Sequence, residues 1–165
     1  ARWTVVNERD GLGDETPPDY LTAVVEGGFY GWPYCYWGRT VDDRVPQDPA
    51  LVATARTPDY ALGGHTASLG LCWLPEGVLP GFGPGMVIGQ HGSWNRATLS
   101  GYRVVFVPFA GGRPAGPPRD VIAGFLSEDE RSSWGRPVGV AIGPDRRSLL
   151  VADDVGDVIW RVSGA

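Results

Sequence analysis

The chain has 165 residues, of which 42% are hydrophobic, so it is long enough for one core and gives no sign of a second domain. Its 25 glycines and 15 prolines accompany seven tryptophans and many aliphatic residues, which excludes disorder and indicates short strands joined by turns. The net charge of -5, without a cluster of basic residues, excludes a general phosphate-backbone binder, and we expect no nucleic-acid partner.

Short apolar or alternating segments lie between turn signals along the whole chain and predict β-strands. In chain order these segments are residues 2–8, 20–26, 65–74, 85–90, 102–109, 119–126, 136–143, 148–153 and 157–162. No amphipathic helix competes with them, and no apolar run is long enough to span a membrane. Residues 38–64 carry proline, aspartate and glycine with little periodicity, so we expect a long surface excursion there.

A weak internal repeat organises the predicted strands. A small-residue-rich strand, an apolar strand that ends in a polar loop and a third strand occur in residues 65–109 and again in residues 136–164, and residues 3–14 fit the second position of an earlier copy. This pattern predicts an all-β fold, an antiparallel β-propeller with four-stranded blades. Residues 1–165 would form about two and a half blades, which is one partial propeller domain because a closed ring needs about four or more.

The propeller hypothesis predicts where the polar segments meet. The first and second strands of a blade are antiparallel, so the start of the first strand and the end of the second lie at the same rim. His65 precedes one first strand and Arg136 opens another, while residues 9–14, 90–96 and 153–157 follow second strands. We therefore expect these five segments to line one mouth of the propeller.

The segment GQHGSWNR, residues 89–96, offers more recognition chemistry than a turn needs. His91, Trp94, Asn95 and Arg96 combine a titratable ring, an aromatic face, an amide and a cation. Structural roles remain open: the two histidines could be satisfied rim residues, Trp94 a cap between blades, and Arg136 an ion-pair partner between blades. The acidic turn at 153–157 is typical of a solvated turn, and the aromatic residues at 29–34 indicate packing between blades more than substrate stacking.

The two cysteines, Cys35 and Cys72, have no metal-ligand spacing. Both a disulfide and two separately packed thiols remain open. All 14 basic residues are arginine, which indicates a coding bias and weakens any inference from an arginine alone.

Several longer motifs resemble a known family. They are NERDGLGDETPPDY at 7–20, GGFYGWPYCYWG at 27–38, HTASLGL at 65–71, IGQHGSWNR at 88–96, GYRVVFVPF at 101–109 and GRPVGVAIGPD at 135–145. Together they resemble the C-terminal part of the sorbosone dehydrogenase family, whose members are pyrroloquinoline quinone (PQQ)-dependent sugar dehydrogenases. These enzymes have a six-bladed propeller and are related to soluble glucose dehydrogenase and fungal pyranose dehydrogenases.

The resemblance implies an activity and a location. A sugar hydroxyl or aldehyde would be oxidised by hydride transfer to the quinone, and an external electron acceptor would reoxidise the cofactor. The protein would be periplasmic or secreted. A different class stays open, namely a non-catalytic propeller-type module that binds carbohydrate or protein, since a fold alone does not carry a function.

The resemblance also implies site residues. PQQ carries an ortho-quinone and three carboxylates, so its site needs cations, amides and aromatic cover. The cofactor-binding residues would be His65, His91, Trp94, Asn95, Arg96 and Arg136. In relatives, carbonyl groups that match Gly11 and Leu12 help to hold Ca²⁺ at the quinone, and Asp10, Asp14 and Glu15 flank this loop.

One departure limits what the chain can do alone. The family's general-base histidine and an arginine–asparagine pair lie upstream of the matching segment, and neither His65 nor His91 matches that base. No catalytic residue is therefore assigned, and we expect the isolated chain to hold half a site and to be inactive. Its partners would be a sugar substrate and the remaining N-terminal propeller blades, or a second copy of itself through self-association.

Overall fold

The computed structural model describes residues 1–164 and is built almost entirely from β-strands. The strands are β1 (Trp3–Val6), β2 (Pro18–Ala23), β3 (Cys35–Tyr36), β4 (Thr40–Val41), β5 (Tyr60–Gly64), β6 (Ser68–Leu74), β7 (Gly85–Gln90), β8 (Arg103–Ala110), β9 (Arg113–Pro114), β10 (Arg119–Ile122), β11 (Pro137–Ile142), β12 (Ser148–Asp153) and β13 (Val158–Ser163). The helix α1 (Pro49–Val52) is a single turn, and Asp48 caps its N-terminus. None of the helices in residues 1–164 could cross a membrane.

The strands form three successive antiparallel sheets. The first sheet has the order β1-β2-β5, the middle sheet β10-β8-β7-β6 with β9 paired to β8, and the last sheet β11-β12-β13. A separate small hairpin joins β3 to β4. Four of the five strands of the middle sheet, β6, β7, β8 and β10, thus form a meander, as predicted for a propeller blade. The strands β7 and β12 hold the second position in their sheets, as the repeat predicts.

Two apolar clusters join the three sheets face to face. One cluster packs the middle sheet against the last sheet through residues that include Val87, Phe106 and Leu149. The other packs the middle sheet against the first through residues that include Leu21 and Ile88. The middle strand β7 is buried along its whole length because it contributes to both clusters. This face-to-face packing of successive sheets is the arrangement of neighbouring propeller blades.

The predicted surface excursion at residues 38–64 is only partly correct. Residues 60–64 form β5, the third strand of the first sheet, with Leu62 buried in the core. The segment also carries α1, and Asp42 is buried. The strand escaped prediction because its sequence YALGG ends in two glycines and offers only a short alternation.

Two glycines allow the middle and last sheets to approach each other closely. A Cβ atom at Gly70 would lie 2.0 Å from the carbonyl oxygen of Val138, and one at Gly89 would lie 2.4 Å from the same oxygen. Gly70 is on β6, Gly89 is on β7, and Val138 is on the first strand of the last sheet. The backbone contact between the sheets therefore leaves no room for a side chain.

Replacing Gly70 by alanine should destabilise the fold by about 2 kcal/mol, because the added methyl group forces the backbones of β6 and β11 apart. Gly83 is the control, since no atom lies within 4 Å of a Cβ built there and its backbone needs no positive φ. Thermal unfolding followed by circular dichroism should show a lower melting temperature for Gly70→Ala only. Equal melting temperatures for the two variants would contradict the close sheet contact.

Candidate functional site

The polar segments selected from the sequence meet at one rim of the sheets. Ser68 at the start of β6 pairs with Gln90 at the end of β7, and Pro137 at the start of β11 pairs with Asp153 at the end of β12. The segments that precede first strands therefore lie beside the loops that follow second strands, as the antiparallel geometry predicts.

A cavity of about 240 Å³ opens at this rim. Its polar lining includes most of the predicted site residues, namely His65, His91, Trp94, Asn95 and Arg136, together with Asn7, Asp10 and Ser93. Gly11, Leu12 and Arg96 do not line it. The volume is below the range of about 300–1,000 Å³ that is common for sites enclosing a drug-sized ligand, so the cavity can hold only part of such a molecule.

His65 is buried in the wall of the cavity, where hydrogen bonds fix its ring. Its Nε2 lies 2.7 Å from the carbonyl oxygen of Gly13, a group that can only accept a hydrogen bond. Its Nδ1 lies 3.1 Å from Oδ1 of Asp10. The same Asp10 oxygen accepts a hydrogen bond of 2.9 Å from Nδ2 of Asn95. Asp10, in the loop after β1, thus contacts both His65, which precedes β6, and Asn95, which follows β7.

The buried Asp19 joins two segments that neighbour the cavity. Its carboxylate accepts hydrogen bonds from the backbone N–H groups of Glu8 and Ser68 and from the hydroxyl of Thr66. Burial raises the pKa of this carboxyl, and the hydrogen bonds oppose that shift only in part. The interaction fixes the loop after β1 against the loop before β6.

Arg136 links the middle and last sheets at the cavity. Its Nε donates to the carbonyl oxygen of His91 at 2.9 Å and its Nη2 donates to that of Gly92 at 2.6 Å. The guanidinium carbon lies 5.0 Å from the centre of the Tyr102 ring. Within residues 1–164, Nη1 has no protein partner, so this end of the guanidinium is free to bind an anionic ligand.

The acidic turn at 153–157, which the sequence analysis placed at this rim without giving it a role, holds two residues that line the cavity, Arg136 and His91. Asp153 is buried and accepts hydrogen bonds from the backbone N–H groups of Arg136 and Gly156 and from the indole of Trp160. Burial disfavours the charged form of Asp153, but these hydrogen bonds outweigh it and lower its pKa. Asp154 holds His91, whose Nε2 lies 2.9 Å from Oδ1 of the carboxylate.

Arg96 points away from the cavity. Its guanidinium pairs with Glu15 and donates to the carbonyl oxygen of Gly64, while its Nε is buried without a hydrogen-bond partner among the described residues. Oδ1 of Asn95 is a second buried polar atom without a partner in the same part of the chain. Through Glu15, Arg96 therefore holds the loop at 13–16 in place. The sequence could not predict the direction in which this long side chain points.

The loop predicted to hold Ca²⁺ presents carbonyl oxygens that are partly engaged. Leu12 accepts from the Thr16 hydroxyl at 2.7 Å, and Gly13 accepts from His65. Gly11 has a φ of 81°, a left-handed backbone that favours glycine. Within residues 1–164, no three His, Cys, Asp or Glu side chains are grouped in a way that could hold a metal ion. The oxygen atoms that this loop itself offers are backbone carbonyls, which are among the ligands that Ca²⁺ takes in proteins.

A buried ion pair fixes Arg9, which directly precedes the loop that contains Gly11 and Leu12. Arg9 donates to Oδ2 of Asp42 at 3.1 Å and to the carbonyl oxygens of Pro33 and Cys35 at 2.8 Å each. The Arg9 and Asp42 side chains are only 4% and 3% exposed. Hydrogen bonds from Arg44 are the main cause that lowers the pKa of Asp42 well below its usual range, with a further contribution from Arg9.

The cysteines do not form a disulfide in the structure. Cys35 is a buried free thiol and Cys72 is a half-buried one. Burial raises the pKa of Cys72 to about 11 and also raises the pKa of Cys35, so both are packed, neutral thiols.

Comparisons with known proteins agree with the sequence resemblance. A family model described as TrAA12-like matches residues 42–164. A pyrroloquinoline quinone-dependent pyranose dehydrogenase of Coprinopsis cinerea is 29% identical over 189 residues, which cover 93% of this chain and 24% of that protein. An uncharacterized protein of Borreliella burgdorferi is 31% identical over 163 residues, which cover 94% of this chain and 41% of that protein. The chain thus spans less than half the length of these relatives.

Solved structures share the fold. The iodide structure of a Trichoderma reesei enzyme of carbohydrate-active family AA12 has a TM-score of 0.73 at 20% identity and covers 95% of this chain and 48% of that chain. The holo PQQ domain of the Coprinopsis cinerea pyranose dehydrogenase has a TM-score of 0.68 at 22% identity and covers 97% of this chain and 47% of that chain. The all-β propeller fold and the relation to PQQ-dependent sugar dehydrogenases, both predicted from the sequence, are confirmed. Because the family model matches most of the residues, the chain belongs to the TrAA12-like family.

Proposed function

We propose that the chain is the C-terminal portion of a PQQ-dependent sugar dehydrogenase that oxidises a sugar hydroxyl or aldehyde. The observation that carries the proposal is the convergence of His65, His91, Trp94, Asn95 and Arg136 on one cavity. These residues come from the edges of all three sheets. Packing of the sheets alone does not require such a group of polar side chains at one place. The sequence similarity to a PQQ-dependent pyranose dehydrogenase supports the same assignment.

The polar atoms of the cavity suit the cofactor. The free Nη1 of Arg136 provides a cation for a carboxylate, and the exposed Trp94 provides an aromatic face for a flat ring system. Oδ1 of Asn95, buried without a partner among residues 1–164, provides an acceptor for a ligand N–H group. When bound, PQQ would supply the quinone that accepts a hydride from the sugar.

The remaining residues would hold the binding groups in place. Asp154 fixes the ring of His91, and Arg136 is fixed by the carbonyl groups of His91 and Gly92 and by the ring of Tyr102. Rigid donors cost little to organise when a charged ligand arrives, which favours binding. Arg96 would act indirectly, by clamping the loop at 13–16 beside the proposed Ca²⁺ ligands Gly11 and Leu12.

The proposal includes a partner and a location. The strand β13 exposes apolar side chains on both faces of the last sheet, Val158 and Trp160 on one face and Ile159 on the other, and a soluble protein normally covers such side chains. We assign this surface to the N-terminal propeller blades, which would also bring the general base, and self-association of the chain is the competing occupant. An external electron acceptor and a periplasmic or secreted location complete the proposal.

A dye-reduction assay tests the function. The chain would be produced alone and together with the upstream blades, and each sample would receive PQQ, Ca²⁺ and an aldose. We expect reduction of the dye only when the upstream blades are present, with a monomer by size-exclusion chromatography, and self-association of the chain alone. Sugar binding without any PQQ-dependent reduction in the complete protein would favour the non-catalytic carbohydrate-binding module instead.

Removal of Ca²⁺ should weaken the retention of PQQ by the complete protein, because carbonyl groups at Gly11 and Leu12 can hold the ion only together with cofactor oxygens. Dialysis against a chelator should release PQQ, and added Ca²⁺ should restore it, as measured by quinone absorbance. Without PQQ, calorimetry should detect only weak Ca²⁺ binding. Tight Ca²⁺ binding in the absence of PQQ would show a different, self-sufficient metal site.

A further inference from the structure

Two more cavities adjoin the candidate site along the segment that follows β1. One has a volume of about 280 Å³ and is lined by residues 6–9, Tyr20 and Trp32. The other has a volume of about 420 Å³, and its lining includes Asp10, Trp32 and Arg44. Asn7 and Asp10 also line the candidate site, so the three cavities are neighbours that share lining residues, and together they are here called the rim groove.

Trp32 lines two of the three cavities of the rim groove and lies outside the proposed cofactor contacts. Its side chain is 68% exposed, although the sequence indicated packing between blades for this aromatic segment. The Arg9 guanidinium lies 4.7 Å from the centre of the Trp32 ring, and the ion pair with Asp42 holds that guanidinium in place. The indole is therefore held from one side by a rigid, buried network and remains open to a ligand.

Hydrogen-bonding groups flank the indole. The Arg44 side chain is 40% exposed, and its bonds to Asp42 and to the Asp10 carbonyl use three of the five guanidinium N–H groups. The Asp10 carboxylate is 49% exposed, and only its Oδ1 is bound by His65 and Asn95. Two N–H donors of Arg44 and the Oδ2 acceptor of Asp10 therefore remain available beside the ring.

We propose that the rim groove binds a second sugar ring, with the apolar face of a pyranose on Trp32 and its hydroxyl groups on Arg44 and Asp10. An exposed aromatic face beside fixed polar groups suits a ligand that has an apolar face and a polar edge. Resting on the proposed function, this inference gives the substrate class: a sugar of at least two rings, with one ring beside the cofactor at the candidate site and the next ring on Trp32.

Isothermal titration with glucose and with cellobiose, in the absence of PQQ, tests the groove. We expect the disaccharide to bind about tenfold more tightly than the monosaccharide, and Trp32→Ala should abolish this difference while leaving the dissociation constant for glucose unchanged. Trp134 is the matched control, because it is also 68% exposed and lines none of the three cavities. Trp134→Ala should keep the tenfold preference.

Two further measurements keep the outcome clear. Trp32→Tyr retains an aromatic face, so it should keep part of the preference even if Trp32→Ala lowers the melting temperature. A parallel titration of each variant with PQQ separates the two proposals. If the protein binds PQQ but binds glucose and cellobiose with equal affinity, the groove proposal is overturned and the proposed function stands. If the protein prefers cellobiose in a way that depends on Trp32 but does not bind PQQ, the groove is supported and the proposed function is overturned.

Discussion

Replacing Arg136 by alanine is expected to weaken PQQ binding by the complete protein about thirtyfold or more. The free Nη1 of Arg136 is the cation that the cavity offers to a carboxylate, and its other two nitrogens are already bound to the loop at His91 and Gly92. Loss of one partner of a partly buried charge pair costs about 2 kcal/mol or more, which corresponds to about thirtyfold in affinity. Titration of quinone absorbance gives the dissociation constant.

Two variants separate binding from folding in that experiment. Arg136→Lys keeps the charge but loses the planar fork, so it should recover only part of the affinity. Arg131 is an exposed arginine with a weak surface ion pair, and Arg131→Ala changes the net charge equally without touching the cavity. Unchanged PQQ affinity in a folded Arg136→Ala protein would remove Arg136 from the proposed site.

Replacing Asp42 by alanine is expected to lower the free energy of unfolding by about 3 kcal/mol, the low end of the range for removing one partner of a buried ion pair. The change removes the Asp42 carboxylate from the buried Arg9 guanidinium, which keeps its ion pair with the adjacent Glu8. It also removes the carboxylate that binds Arg44. The melting temperature should fall by about 6 °C or more. The neighbouring Asp43 is exposed, so Asp43→Ala should leave the melting temperature nearly unchanged.

The effect of Asp42 should depend on pH with a defined sign. The folded-state pKa of Asp42 lies well below the usual carboxyl value of about 3.9, so the unfolded chain takes up the proton first as the pH falls. The stabilising contribution is complete above about pH 4 and is lost below it. The difference in melting temperature between the unaltered protein and Asp42→Ala should therefore shrink on acidification below pH 4. A difference that stays constant to pH 2 would contradict the ionised pair.

The sequence determined much of the fold because the core strands carry clear local signals. The predicted bounds of β7 and β12 coincide with the observed ones, since an unbroken apolar run between turn residues leaves little freedom. The strand β10 ends at Ile122, four residues before the predicted end. Pairing with a distant strand defines β5, and such a long-range contact leaves no periodic signal in a five-residue segment with two glycines.

The candidate site was predictable in position but not in detail. The strand order alone placed His65, His91 and Arg136 at one rim, because that argument needs only the antiparallel pairing. The pairing of Asp154 with His91 depends on packing between two sheets, which a local acidic turn does not reveal. The clamp formed by Arg96 and the exposure of Trp32 likewise depend on tertiary contacts that sequence spacing does not define.

Co-elution of PQQ with the protein tests the central proposal most directly. The chain together with the upstream blades would be mixed with excess PQQ and Ca²⁺ and passed through a size-exclusion column, with absorbance followed for protein and for quinone. We predict quinone absorbance in the protein peak at about one PQQ per propeller, and its loss in Arg136→Ala. A folded protein peak that carries no quinone at saturating PQQ and Ca²⁺ would contradict the proposed function.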